Sequence, residues 1–167
     1  MITGEQVKEY LVELLGDPQA GKSSHWRKYL SEFAYTEEGG LTGLSGFGGI
    51  SAGGIKGRAL HWVLQIPYKI RSGNYIDLYR VLQSAKKITA IQKRLLDMDV
   101  LRQVLTVVLC KNTIPQFAAN KTSLIIGDGL GTLASLLFLN TRHKIVSINL
   151  NEVLLTDYLY TRGIIPD

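Results

Sequence analysis

The sequence predicts an α/β chain in which a helical amino-terminal region runs into an incomplete βαβα unit. Three observations carry this expectation. Apolar residues recur at helical spacing through most of the chain before Pro115. The apolar run Thr122-Ser123-Leu124-Ile125-Ile126 then breaks into Gly127-Asp128-Gly129-Leu130-Gly131 and a helix-like segment. A second apolar run, Lys144-Ile145-Val146-Ser147-Ile148, follows and ends at Asn149.

In chain order, Thr3-Gly4-Glu5-Gln6 reads as a capping box, because a Thr hydroxyl and a Gln side chain three residues on can exchange hydrogen bonds with free backbone N–H groups. Val7, Tyr10, Leu11, Leu14 and Leu15 follow on one face, and Gly16 stops the helix. Ser24 to Phe33 predicts a second helix with Trp26, Leu30 and Phe33 on a shared core stripe. Between Gly39 and Gly57 lie nine glycines, interleaved with Leu41, Leu44, Phe47, Ile50 and Ile55. A solvated linker would not carry a large apolar residue at every third or fourth place, so this segment is expected either to fill a groove between helices or to form a lid over a ligand. It lacks the spacing of a phosphate-cradling loop.

Arg58 to Ile66 predicts a short helix ended by Pro67. Asn74 then caps a longer helix bearing Tyr75, Tyr79, Leu82 and Ala85, with the periodicity continuing through Ile88, Ile91, Leu95 and Leu96. Asp97 or Asp99 caps the next, carrying Val100, Leu101, Val104, Leu105 and Val108 and closed by Lys111-Asn112. Residues 1–115 are thus read as a helical region and 116–167 as the start of a cofactor-binding domain.

That second region reads as strand (Leu124 to Ile126), glycine loop, helix (Gly131 to Asn140), strand (Ile145 to Ile148) and a helix opened by Asn151 and ended by Gly163. A right-handed crossover would lay the strands parallel, with the loop and Asn149 at the carboxyl ends, where a Rossmann-like sheet binds ligands. A strand turning sharply into a helix needs positive φ angles, and a cofactor resting on backbone leaves no room for a Cβ; glycine satisfies both demands. Asn149 stands where such folds place the side chain that holds a ribose, and its alternative role is to cap the following helix.

Composition narrows the classes. With 167 residues, 46% hydrophobic and 20% charged, the chain can bury a core. The formal charge of +5 is dispersed at helical spacings, as in Arg27-Lys28, Lys86-Lys87 and Lys93-Arg94, which argues for solvated faces rather than a nucleic-acid surface. The single Cys110 lies in an apolar run and is expected to be a small buried hydrophobe. His25, His61 and His143 are isolated, no metal-ligand cluster is apparent, and no catalytic residue is assigned. No signal peptide or membrane span is recognised, so the expected compartment is the cytoplasm.

The glycines at 127, 129 and 131 depart from the dinucleotide fingerprint, whose third glycine falls later. Their spacing is similar to motif I of class I S-adenosylmethionine-dependent methyltransferases. The longer stretch Ile126-Gly127-Asp128-Gly129-Leu130-Gly131-Thr132-Leu133-Ala134, with Ile148-Asn149-Leu150-Asn151-Glu152-Val153-Leu154-Leu155, resembles the sugar O-methyltransferase family in particular. The resemblance covers the chain from Thr122 onward and is faint over the helical region.

It implies S-adenosyl-L-methionine held by Gly127, Asp128, Gly129, Gly131, Asn149 and Leu150, and a sugar hydroxyl as acceptor. Two residues depart from the pattern: Ile125 stands where many such enzymes carry an acid, and Asn149 where they carry the ribose carboxylate. A complete enzyme of this class builds its adenine and acceptor sites from later strands, so the chain is read as a partial one, expected to self-associate or join a complementary chain. The alternatives are a non-catalytic, methyltransferase-like interaction module and an NAD-binding dehydrogenase fragment.

Overall fold

A computed structural model of the chain describes residues 4–16, 32–36, 40–42 and 55–165. In order, the elements are helix α1 (Gly4–Glu13) with a 3-10 turn at Leu14–Gly16, strands β1 (Ala34–Thr36) and β2 (Gly40–Thr42), helices α2 (Ile55–Arg71), α3 (Tyr75–Ile91) and α4 (Met98–Thr113), strand β3 (Thr122–Ile126), helix α5 (Thr132–Asn140), strand β4 (Lys144–Ile148) and helix α6 (Asn151–Thr161). Helix and strand are mixed as expected, but the first half is not purely helical. β1 and β2 pair antiparallel, Tyr35 opposite Leu41, and Phe33 precedes the hairpin instead of closing a helix. Alternation of half-buried Tyr35 between exposed Ala34 and Thr36 suits a short strand, a period too brief to register beside the glycines. Thr3, residues 24–31 with Trp26, and 43–54 of the glycine-rich segment lie outside the described residues.

The core forms where α3, α4 and α5 meet the inner face of β3. Val81, Ala85 and Ile88 of α3 interlock with Val100, Val104, Val107 and Val108 of α4, with Ala134, Leu136 and Leu137 of α5, and with Ile125. Each large side chain buried there contributes about 1.5–3 kcal/mol. α5 is apolar around its whole circumference because it is the shared element, touching α3, α4, β4 and α6. On its far side α6 packs against α1.

Caps set the helix ends. Asn74 accepts a hydrogen bond from the Asp77 amide at 3.0 Å and Asp97 one from the Val100 amide at 3.0 Å, each closing the first turn of its helix. Lys111 at the end of α4 reaches Asp77 at 2.6 Å, and this pairing holds the Asp77 carboxyl below its ordinary range. α3 ends at Ile91, earlier than the periodicity through Leu96 suggests, because Gln92-Lys93-Arg94 folds into a C-cap. The Lys93 amide donates to Ala90 O and the Arg94 amide to Thr89 O, with Lys93 at φ 52°.

Two expectations are corrected. Pro67 does not end its helix: α2 runs on to Arg71, with exposed Pro67 on a solvent-facing side where water can satisfy the carbonyl its missing N–H leaves free. Cys110 is half-buried rather than buried, on the flank of α4 beside exposed Leu109. Tyr75 and Tyr79 stand on the outer face of α3.

β3 and β4 pair in parallel, from Thr122 opposite Lys144 to Ile126 opposite Ile148, and the Gly127 amide extends the ladder to Ile148 O at 3.0 Å. Ser123, Ile125, Ile145 and Ser147 share one face of this sheet. Leu124, Ile126, Val146 and Ile148 share the other and are 58%, 74%, 46% and 52% exposed. Among the described residues no helix is long and apolar enough to cross a membrane.

Candidate functional site

The loop between β3 and α5 has the backbone its sequence demands. Gly127, Gly129 and Gly131 adopt φ of 75°, 89° and 62°, a region costly for residues with a Cβ. The reasons differ along the loop. A Cβ at Gly127 would meet nothing within 4 Å, whereas one at Gly131 would lie 2.2 Å from Thr161 Cγ2 and 2.9 Å from Asp157 O. Gly131 is therefore required by close packing of the loop on α6.

Asp128 turns back over the helix that follows. Its two carboxylate oxygens accept from the Leu133 and Ala134 amides at 2.9 and 2.8 Å, occupying free donors in the first turn of α5. Burial raises its pKa, opposed by these two amides, by Gln103 and by the charge of Arg94. In nucleotide-binding loops such amides are the usual seat of a phosphate; here the chain's own carboxylate fills it.

Asp157, on α6, is 4% exposed and ties the loop to the end of β4. One oxygen accepts from the Gly131 amide at 2.9 Å and the other from Asn149 Nδ2 at 2.9 Å. Its carboxyl is pushed up to about 7, first by burial and then by the nearby charge of Asp128, both against the two hydrogen bonds. Asn149 completes the bracket by accepting from the Leu150 amide at 3.0 Å. Leu150 is the residue before α6 and makes no side-chain cap, so the helix-capping alternative for Asn149 reduces to this one local bond.

A cleft of about 200 Å³ opens between the loop and the corner joining α3 to α4. Gly127, Asp128 and Gly129 form one wall, Arg94, Arg102 and Gln103 the other. The α3 C-cap aims Arg94 here: its Nη1 donates to Thr132 Oγ1 at 2.9 Å and Gln92 Oε1 at 3.1 Å, and burial lowers its pKa. Gln92 in turn donates to Leu130 O at 3.1 Å, so both residues brace the loop. Arg94 Nε and Gln103 Oε1 are buried without a partner. No local pattern marks Arg94, Gln103 or Asp157, because they reach the site from elements distant in sequence. Asp157 follows the glycines by a whole βα turn, and Arg94 precedes them by a helix.

The structure thus brings all six sequence-predicted site residues to the carboxyl end of β3 and β4. Gly127 and Gly129 line the cleft. The Gly131, Asn149 and Leu150 amides or side chains are held on the α6 side.

Of the histidines, His143 is fixed by its neighbours: its Nε2 faces Phe117 O, which can only accept, so Nδ1 accepts from the Ser123 hydroxyl at 2.6 Å. His61 is half-buried on α2, and His25 lies outside the described residues. Among the described residues no group of three or more His, Cys, Asp or Glu is placed to hold a metal ion. No family model matches the chain, and neither a curated protein nor a solved structure is found to match it.

Proposed function

We propose that β3, α5, β4 and α6 are a Rossmann-like unit whose glycine loop binds S-adenosyl-L-methionine, in a cytoplasmic O-methyltransferase acting on a sugar hydroxyl. The observation that carries this reading is Asp128. By covering the Leu133 and Ala134 amides it removes the seat a dinucleotide's pyrophosphate would use, yet leaves the positive-φ backbone of Gly127 and Gly129 facing a cleft. A nucleoside cofactor without a pyrophosphate fits such a loop and NAD does not.

The residues present fit the group in a second respect. Asn149 spends one amide hydrogen on Asp157 and one lone pair on Leu150, keeping one of each for a ribose hydroxyl. When bound, the cofactor supplies an electrophilic methyl group. The chain's part is to position it: Asp157 holds the loop and Asn149 in register, and Arg94 and Gln92 brace the loop from the α3 side.

Calorimetry with S-adenosylhomocysteine and NAD tests the reading. Binding of the first, indifference to the second, and loss of binding in Gly129→Val are expected; tight NAD binding sinks it. A second reading, a non-catalytic module that docks a partner, draws on the exposed apolar face of Leu124, Ile126, Val146 and Ile148. It predicts no binding of either nucleotide by a folded, associated chain.

A further inference from the structure

A second cavity, separate from the glycine-loop cleft, lies under α1 and α6 on the inner face of β4. It measures about 590 Å³ and is lined mainly by apolar groups, among them Leu11 of α1, Phe138 of α5, Ile145 of β4 and Leu154 of α6. Such a volume and lining suit a small organic ligand. Its polar contrast is Asp157, which lines this cavity while its carboxyl braces the loop. Among the described residues no lysine, arginine or histidine pairs with Asp157; its partners are two neutral N–H donors, and the like charge of Asp128 acts on it.

A buried carboxylate without a counter-cation is an unfavourable arrangement that a bound cation relieves. Aromatic walls offer the rest of a cation's environment, because ring faces attract positive charge: Tyr10, Phe138 and Tyr158 all line the same space. Ser147 adds one hydroxyl. The requirement is for a hydrophobic body and a single positive head.

We propose that this cavity is a binding site for a hydrophobic ammonium compound, its charged head against Asp157 and its apolar body among Leu11, Phe138, Ile145 and Leu154. The proposal needs no nucleotide, although it shares Asp157 with the bracket that holds the glycine loop. Pairing with a cation would also draw the Asp157 carboxyl back down toward its ordinary range. The other titratable groups lining the cavity are Tyr10, His143 and Tyr158, with Asp128 acting from the glycine loop.

Titration calorimetry of the full chain with 2-phenylethylammonium and its neutral isostere 2-phenylethanol decides the matter. At pH 8 the ammonium should bind at least tenfold more tightly than the alcohol. Between pH 8 and pH 6 its affinity should fall about tenfold, because an acid titrating near 7 drops from roughly nine-tenths to one-tenth ionised. Asp157→Asn should remove both the preference for ammonium and the pH dependence; a pH dependence that persists there overturns the role given to Asp157. Leu154→Trp, which fills the cavity, should abolish binding while the chain stays folded by circular dichroism. Equal affinity for alcohol and ammonium, no saturable binding of either, or undiminished binding by Leu154→Trp would each overturn the proposal. Should Asp157→Asn fail to fold, the comparison of charged and neutral probes on the unaltered protein decides alone.

Discussion

Asp157 and the Gly131 amide are joined by a hydrogen bond of 2.9 Å across 26 residues of sequence, and this bond makes the last helix part of the glycine loop. The carboxyl that forms it is buried and pushed up to about 7 from an ordinary 3.8. For an acid whose folded-state pKa is raised, the folded protein holds the proton over a range where the unfolded chain has lost it. Stability from this group is therefore greatest below about pH 4, declines through the window from about 4 to 7, and is level above. The span is on the order of a few kcal/mol. Urea unfolding at pH 5 and pH 8 should show the chain more stable at pH 5. Asp157→Asn should flatten the difference, and an unchanged difference in that variant would place the dependence elsewhere.

The glycines of the loop should not respond alike to alanine. At Gly127 the substitution carries only the cost of a left-handed residue, about 1–2 kcal/mol, because the Cβ enters open space. At Gly131 the same backbone cost is joined by a collision at 2.2 Å with Thr161 Cγ2 and 2.9 Å with the backbone of Asp157. Gly131→Ala is thus expected to cost at least twice as much as Gly127→Ala in equilibrium unfolding. Thr161→Ser, which deletes the offending methyl, should recover part but not all of the difference. Equal costs at the two positions would contradict the packing of the loop on α6.

Lys93 is a non-glycine residue at φ 52° in the C-cap of α3, with nothing in its exposed side chain explaining the choice. Lys93→Gly should raise stability by up to about 1 kcal/mol, since glycine enters this region without a steric penalty. A fall in the thermal midpoint would mean that the lysine has a role beyond the turn.

Leu124, Ile126, Val146 and Ile148 put four large apolar side chains on one uncovered sheet face. Surfaces of this kind are seldom left to water, so the chain is expected to associate. Ile126→Lys should shift sedimentation toward the monomer while the chain stays folded by circular dichroism, the position being exposed in one copy. A wild-type chain that is already monomeric at high concentration would remove the basis for this expectation.

Local chemistry made much of this fold readable. The glycine triplet demanded positive φ, Asn74 and Asp97 are capping residues whose use needs no knowledge of the tertiary structure, and the two apolar runs from Thr122 and Lys144 are strands in the order expected. What remained illegible depends on distance or on small energetic margins. Pro67 stayed inside α2 because its surroundings are solvent, which sequence alone does not specify. The β1–β2 hairpin rests on three residues per strand. Arg94, Gln103 and Asp157 are common residue types with no spacing to announce them, and only folding sets them around Gly127 to Gly131.

Asn149 shows how a distant partner changes the meaning of a substitution. Read alone, Asn149→Asp would restore the carboxylate usual at a ribose site and should strengthen nucleoside binding. In the fold, however, Asn149 Nδ2 donates to Asp157 Oδ2 at 2.9 Å, so an aspartate there would set two carboxyl groups against each other in a buried bracket. The pair would share a proton, and keeping both ionised would cost stability as pH rises. Asn149→Asp is therefore expected to be markedly less stable at pH 8 than at pH 5, and by more than the unaltered chain. Any nucleoside affinity should fall over the same range. Asn149→Leu removes the hydrogen bond without adding charge and leaves Asp157 one donor short, a loss on the order of 1–3 kcal/mol that falls mainly on the ionised carboxyl, so stability declines with pH somewhat more than in the unaltered chain but less than in Asn149→Asp. Thermal melts of both variants at the two pH values separate the cases: equal pH responses in Asn149→Asp and Asn149→Leu would show that Asn149 and Asp157 are not neighbours in solution.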